Sequence, residues 1–320
     1  MLSDDTTDAD LAAATAAQLN IYGQRSQPEE TPDFLSKAHT KLLSELDKLN
    51  SDIKAGWIKA NDKCPSLVNE EHKLMFLRCE LFNEELAALR ICKYWNRRIE
   101  LFGERAFLPI HLGGGGALSS VHGSEDENDE ADETMVKYTL KGLYLGFIRT
   151  TQTHDDGGRA ILFVDPSKLS GYDKSNNDER LGIARALWYV MHNLIEGNDT
   201  VQKLGLVAIG WPHHVKISMV DRKLMKMNME SISGCLPIRM GGFHIVQPPW
   251  FFAKIVFPIM KVVMPERMRK RVRLHSGSEE KILEELKTFG MDKDVLPSEI
   301  GGDVILDTDQ WIRDMKSKGL

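Results

Sequence analysis

The 320-residue sequence has little of what usually announces chemistry. Its four cysteines, Cys64, Cys79, Cys92 and Cys235, lie far apart with no Cys-x-x-Cys pair. That excludes a disulfide framework and a cysteine metal knuckle, and it fits a reducing compartment. No Gly-x-Ser-x-Gly turn occurs, so the nucleophile elbow of many hydrolases is missing. The first twenty residues, MLSDDTTDADLAAATAAQLN, are acidic and lack a basic start followed by an apolar block. Neither a secretory nor a mitochondrial leader is expected from them, and the expected location is the cytoplasm.

Several short patterns suggest a site and then fail on chemistry. The run Gly113–Gly116 has no Gly-Lys-Ser/Thr ending, does not follow a strand and precedes acids that would repel phosphate. Cys92 and Arg98 have the spacing of a phosphatase loop but fall on a helical period, which makes Cys92 a core residue. His213 and His214 are adjacent, so their side chains diverge and hold no metal without ligands from elsewhere. They read as a turn after a strand, and His244 and His275 as hydrogen-bonded core residues of strands. No enzyme is expected from these residues, and no metal or other cofactor.

The content is 42% hydrophobic, ample for a core, and the net charge of −6 is unevenly spread. Residues 125–133, EDENDEADE, carry seven acids, whereas residues 254–273 carry seven bases against Glu266 alone. Residues 1–33, polar and acidic with Pro28 and Pro32, predict a disordered lead-in. A helical module is predicted over 34–112. It starts with one helix whose face is Leu35, Ala38, Leu42, Leu46, Leu49, Ile53 and Trp57, continues through NEEHKLMFLRC, and adds a third helix capped by Asn83. Residues 113–134 predict a flexible insert. Strands at 159–165, 204–210 and 242–247 then alternate with helices at 179–196 and 217–231, the pattern of a parallel or mixed α/β sheet.

The last strand runs straight into IVQPPWFFAKIVFPIMKVVMPERMRKRVR, residues 245–273. Its first twenty residues have only three polar side chains. That length would cross a bilayer, but three prolines and the buried depth of Lys254 and Lys261 make a spanning helix costly. As a helix, Trp250, Phe251, Phe252, Ile255, Val256, Phe257, Ile259, Met260, Val262, Val263 and Met264 cover nearly every face, so something apolar must cover both sides. A central core helix satisfies that. So does a movable wall with one face on an apolar cavity and the other meeting a membrane. Lys261, Arg267, Arg269, Lys270, Arg271 and Arg273 follow at once, and such a cluster gives reversible docking to anionic lipid.

LPIRMGGFHIVQPPWFF, PERMRKRVRLHS, EEKILEEL and LPSEIGG together resemble the C-terminal half of a CRAL-TRIO lipid-binding domain. FLRCELFNEELAALRICKYWNRR and DDGGRAILFV resemble its helical N-terminal module and the entry to its sheet. The resemblance covers about residues 65–305. It implies an α/β fold with a mixed, mostly parallel sheet and a gate helix over an apolar cavity, spanning 135–305, followed by a tail helix at 306–320 similar to that of the tocopherol and retinaldehyde branch. It implies one lipid or lipophilic small molecule as ligand, transfer between membranes, and a phosphoinositide-reading basic cluster at the membrane surface. Arg239, Arg267 and Arg271 fall on bases of that cluster. Gly241 and Glu80 stand where two others would be, and Gly242 stands where the fungal phosphatidylinositol transfer proteins hold inositol phosphate with lysine. A monomer without nucleic-acid partners is expected, reversibly membrane-associated. A phosphoinositide-sensing adaptor that carries no ligand has the same sequence features.

Overall fold

The computed structural model describes residues 19–119, 129–264 and 266–320, and of Asp129, Val263 and Arg267 it describes the backbone alone. At its centre is a five-stranded mixed sheet in sequential order: β1 (Ile148–His154), β2 (Ala160–Val164), β3 (Leu206–Gly210), β4 (Met240–Val246) and β5 (Val272–His275). β1 pairs antiparallel with β2, and the other three pairings are parallel. β2 and β3 read as unbroken apolar runs because both of their faces are covered. Leu162 and Ala208 point into the main core, whereas Ile161, Phe163, Val207 and Ile209 pack beneath Ile282, Leu286 and Leu296. β1 has no such run: IRTTQTH is an edge strand whose exposed residues are polar, and the apolar pattern gave no sign of it.

The helical region before the sheet differs from expectation at one point. The first predicted helix is two, Pro32–Lys48 and Ala55–Lys63. Leu49 adopts an extended conformation, and Asn50 Oδ1 accepts from Asp52 N at 2.9 Å, a local turn that competes with helix. Ile53 is exposed in consequence, while Trp57 is buried. Asn83 caps Glu84–Phe102 as predicted, accepting from Leu86 N. This region is not closed off from the sheet domain: Trp95, Tyr94, Trp188 and Ile312 belong to one apolar cluster. Cys92, fully buried in that cluster, has its thiol pushed up to about 11 by burial, which suits packing and not nucleophilic attack.

Two segments expected to be loose are structured where described. Of the lead-in, residues 1–18 lie outside the described residues, but 19–31 form a strap against the sheet. Tyr22 at its turn is only 5% exposed. Of the insert, residues 120–128 lie outside the described residues. Ala117 and Leu118 are buried, and Asp129–Tyr144 is a helix held by Asp132, whose carboxylate accepts from Arg105 Nε at 2.7 Å. The tail carries the helix Thr308–Ser317, with Ile312 and Met315 buried. No helix among the described residues is long and apolar enough to cross a membrane.

Candidate functional site: an apolar cavity beside a basic cleft

An apolar cavity of about 200 Å³ lies between one face of the sheet and the gate segment. Leu162, Ala208, Phe243 and Ile245 form its floor, and Leu187 and Met191 of the helix Asn177–Ile195 form one wall. Leu224, Met225 and Met229 of Arg222–Glu230 form another. Seven of the fourteen methionines face it, and their unbranched, adaptable side chains let the wall fit different apolar shapes. The methionine-rich stretch LMKMNM was the sequence signal for this wall, and the helical reading of 217–231 passed over it.

The gate itself is not one regular helix. Pro258 cannot donate to the carbonyl four residues back, and the run passes through a π-helical turn, Phe252–Val256, before the α-helix Phe257–Val263. Phe252, Val256 and Met260 line the cavity, and Phe257 is buried beside them. Trp250 and Ile255 do not: Trp250 is 76% exposed and Ile255 is 37% exposed. Phe251 and Ile259 are half-buried and do not line the cavity. Val262, another apolar position of this run, is 83% exposed. The gate thus keeps one face on the cavity and turns an apolar outer face to solvent.

The basic residues do not form one patch. Arg239 is buried, donates to the backbone carbonyls of Lys203 and Arg25, and is pushed below its usual pKa by burial. Arg271 donates from Nε to Tyr22 O at 3.1 Å and from Nη1 to Met240 O at 3.2 Å. Together with Arg25, Arg90 and Lys93, which sequence reasoning did not single out, these two line a separate polar cleft of about 760 Å³. Glu80 in the same cleft is bound to Arg90 Nε at 2.5 Å. Lys261, Arg269 and Lys270 are exposed on the gate side, with Lys261 4.5 Å over the Phe257 ring and Lys270 2.8 Å from Glu266. Arg273 sits on β5 and donates to the carbonyls of Lys270 and Val272. The side chain of Arg267 lies outside the described residues. Ile232, Met240 and Met268 line both spaces, so a thin apolar wall separates cleft from cavity.

The strap closes the sheet end of the cleft. Gln24 Nε2 donates to Met240 O, and the Tyr22 ring lies under the Arg159 guanidinium, 4.9 Å from it. Tyr22 OH, His244 Nε2, His244 Nδ1, His275 Nε2, His275 Nδ1 and Glu285 Oε2 form a chain of hydrogen bonds of 2.8–2.9 Å across β4 and β5. His244 and His275 are therefore partnered core residues, as the sequence suggested. Gly242 makes room for this arrangement: a Cβ there would stand 2.4 Å from Tyr22 Cε1. Gly242→Ala is expected to lower stability by about 1–3 kcal/mol through this overlap, read by urea unfolding. In a Tyr22→Ala background the same substitution should cost nothing further, and an equal loss there would contradict the overlap.

A mixed sheet backed by helices, with an apolar cavity between one sheet face and the segment Trp250–Met264, defines an α/β protein of the lipid-binding-domain type. Residues 146–302 match the family model for the CRAL/TRIO domain, so the chain carries a domain of the CRAL-TRIO family, whose members bind lipids. It is similar to Clavesin-1 of Rattus norvegicus, 24% identical over 313 residues and covering 93% of this chain and 73% of that protein. Clavesin-2 of Homo sapiens is 22% identical over 288 residues, covering 85% and 74%. The crystal structure of Sfh5 aligns with a TM-score of 0.46 at 13% identity, over 95% of this chain and 90% of that chain.

Proposed function

We propose that the protein carries one lipophilic molecule in the methionine-lined cavity between membranes, and that the gate Trp250–Met264 opens at an anionic surface. The observation that carries this reading is the two-faced gate. Phe252, Val256 and Met260 close the cavity, while Trp250 and Val262 are held out in water. Exposed large apolar side chains cost about 2 kcal/mol each relative to burial, and a bilayer interface supplies the missing cover. The closed volume of about 200 Å³ is below the roughly 300–1,000 Å³ usual for ligand pockets, so loading a larger molecule requires the gate to move.

The basic cleft supports the anionic half of the proposal. Arg25, Arg90, Lys93, Arg239 and Arg271 face one space large enough for a phosphorylated headgroup, and its wall at Met268 is also a wall of the cavity. A headgroup in the cleft would press on the same side chains that close the cavity, coupling membrane contact to gate position. Lys261, Arg269 and Lys270 would meet the surface beside it. This reading makes the protein a reversibly membrane-associated carrier rather than an enzyme. The cleft equally favours a second reading, a phosphoinositide-sensing adaptor without transfer.

Filling the cavity separates carrier from non-carrier. Ala208→Trp, on the cavity floor, should leave the fold cooperative by thermal melting yet abolish the one-to-one lipophile complex seen by native mass spectrometry after purification from cells. Retention of the same bound lipophile in Ala208→Trp would sink the cavity assignment.

A further inference from the structure

Only two side chains on the cavity wall are polar, Asp221 and Asn228, and no lysine, arginine or histidine reaches it among the described lining residues. Asp221 is fully engaged. Its Oδ2 accepts from Tyr172 OH at 2.6 Å and Arg180 Nε at 2.9 Å, and its Oδ1 accepts from the backbone N–H groups of Lys223 and Leu224. Burial would push this carboxyl up, but those bonds and the Arg180 charge hold it below the usual range, so it remains an anion. Asn228 differs: its Oδ1 is buried and has no hydrogen-bond partner. Three residues on, Ser231 is 1% exposed and its Oγ is also unpartnered.

These groups restrict what the cavity can take. A carboxylate or phosphate placed inside would have no cation to pair with and would face the Asp221 charge. A hydrocarbon would fill the space but leave Asn228 Oδ1 bare, and an ether or ester oxygen only accepts and so leaves it bare too. A hydroxyl donates to Oδ1 and can accept in turn. We infer that the cavity selects a neutral lipophilic alcohol, and that Asn228 is the residue that reads its hydroxyl group, by accepting a hydrogen bond at Oδ1. The inference rests on the reading of this cavity as the ligand site and adds the chemical class of the ligand to it. A buried acceptor that gains its partner only with the right ligand is a source of selectivity that shape alone does not give.

The test uses the full chain, stripped of bound lipid, and three probes with one tail: 1-dodecanol, dodecyl methyl ether and dodecanoate, titrated by calorimetry at pH 7.5. The alcohol should bind about tenfold more tightly than the ether, the worth of one hydrogen bond to an otherwise unpaired group, and dodecanoate should bind weakest. Asn228→Leu should erase the advantage of the alcohol while keeping the ether. Equal binding of alcohol and ether by the unaltered protein would overturn the inference and leave the cavity assignment standing, as would an alcohol preference that persists in Asn228→Leu or tightest binding by dodecanoate. Binding of none of the three would overturn the cavity assignment and this inference with it.

Discussion

Arg267→Ala combined with Arg271→Ala is expected to weaken binding to anionic vesicles about thirtyfold, and to slow ligand delivery to them, while ligand binding in the cavity is unchanged. Each base held near an anionic bilayer contributes about 1 kcal/mol, and two give about 2 kcal/mol, a factor of about thirty. Arg271 also holds the strap through Tyr22 O, so its removal has a second consequence. Arg269→Ala with Lys270→Ala provides the control: both side chains are exposed and touch neither strap nor cavity. That pair should give a similar loss of vesicle binding, measured by co-sedimentation, and the loss should shrink at high salt as screening removes the attraction. Unchanged binding to anionic vesicles by both double variants would contradict the role of the bases.

Acidification is expected to destabilise the protein well above the range in which carboxylates titrate. His72 accepts from Trp95 Nε1 at 3.1 Å inside the helical core, and His244 sits in the chain that runs from Tyr22 to Glu285. Burial, assisted by the Arg98 charge at His72 and by His275 at His244, pushes both imidazoles down to about 3. In the unfolded chain each returns to near 6.5, so as pH falls the unfolded state takes up protons first. Their contribution is complete above about pH 6.5 and is lost progressively as the pH drops toward 3. At pH 5 each histidine costs about 2 kcal/mol, together about 4 kcal/mol, and His192 is pushed in the same direction by burial. Urea unfolding at pH 7.5 and pH 5.0 measures this directly, and equal unfolding free energies at the two values would contradict it.

What the sequence revealed follows from which interactions leave a periodic trace. The parallel strands β2 and β3 were legible because burial on both faces forces unbroken apolar runs, and the gate because its solvent face is as apolar as its cavity face. β1 was not, since an edge strand with polar Arg149, Thr151 and Gln152 carries no such run. The strap was hidden for the same reason: Tyr22 is one aromatic in a polar stretch, and its partners are more than 130 positions away at Arg159, His244 and Arg271. Gly241 and Gly242, read as the loss of two bases, mark the space that Tyr22 fills, and no local pattern distinguishes those meanings. The bases were legible as a count but not as a geometry. Chain proximity grouped Lys261 to Arg273, whereas folding brings Arg239 and Arg271 to Arg25, Arg90 and Lys93 and leaves Arg269 and Lys270 in solvent. Asn228 carried no signal at all among methionines, because an unpaired amide oxygen is visible only once the helix is packed against the sheet.

Donor-to-acceptor transfer of a fluorescent lipophile, timed with neutral and with phosphoinositide-containing acceptor vesicles, tests the carrier reading most directly. Catalytic amounts of the protein should move the lipophile to both acceptors, faster to the anionic ones, and Ala208→Trp should move none. Tight binding to the anionic vesicles with no protein-dependent transfer would contradict the carrier and leave the membrane-sensing adaptor in its place.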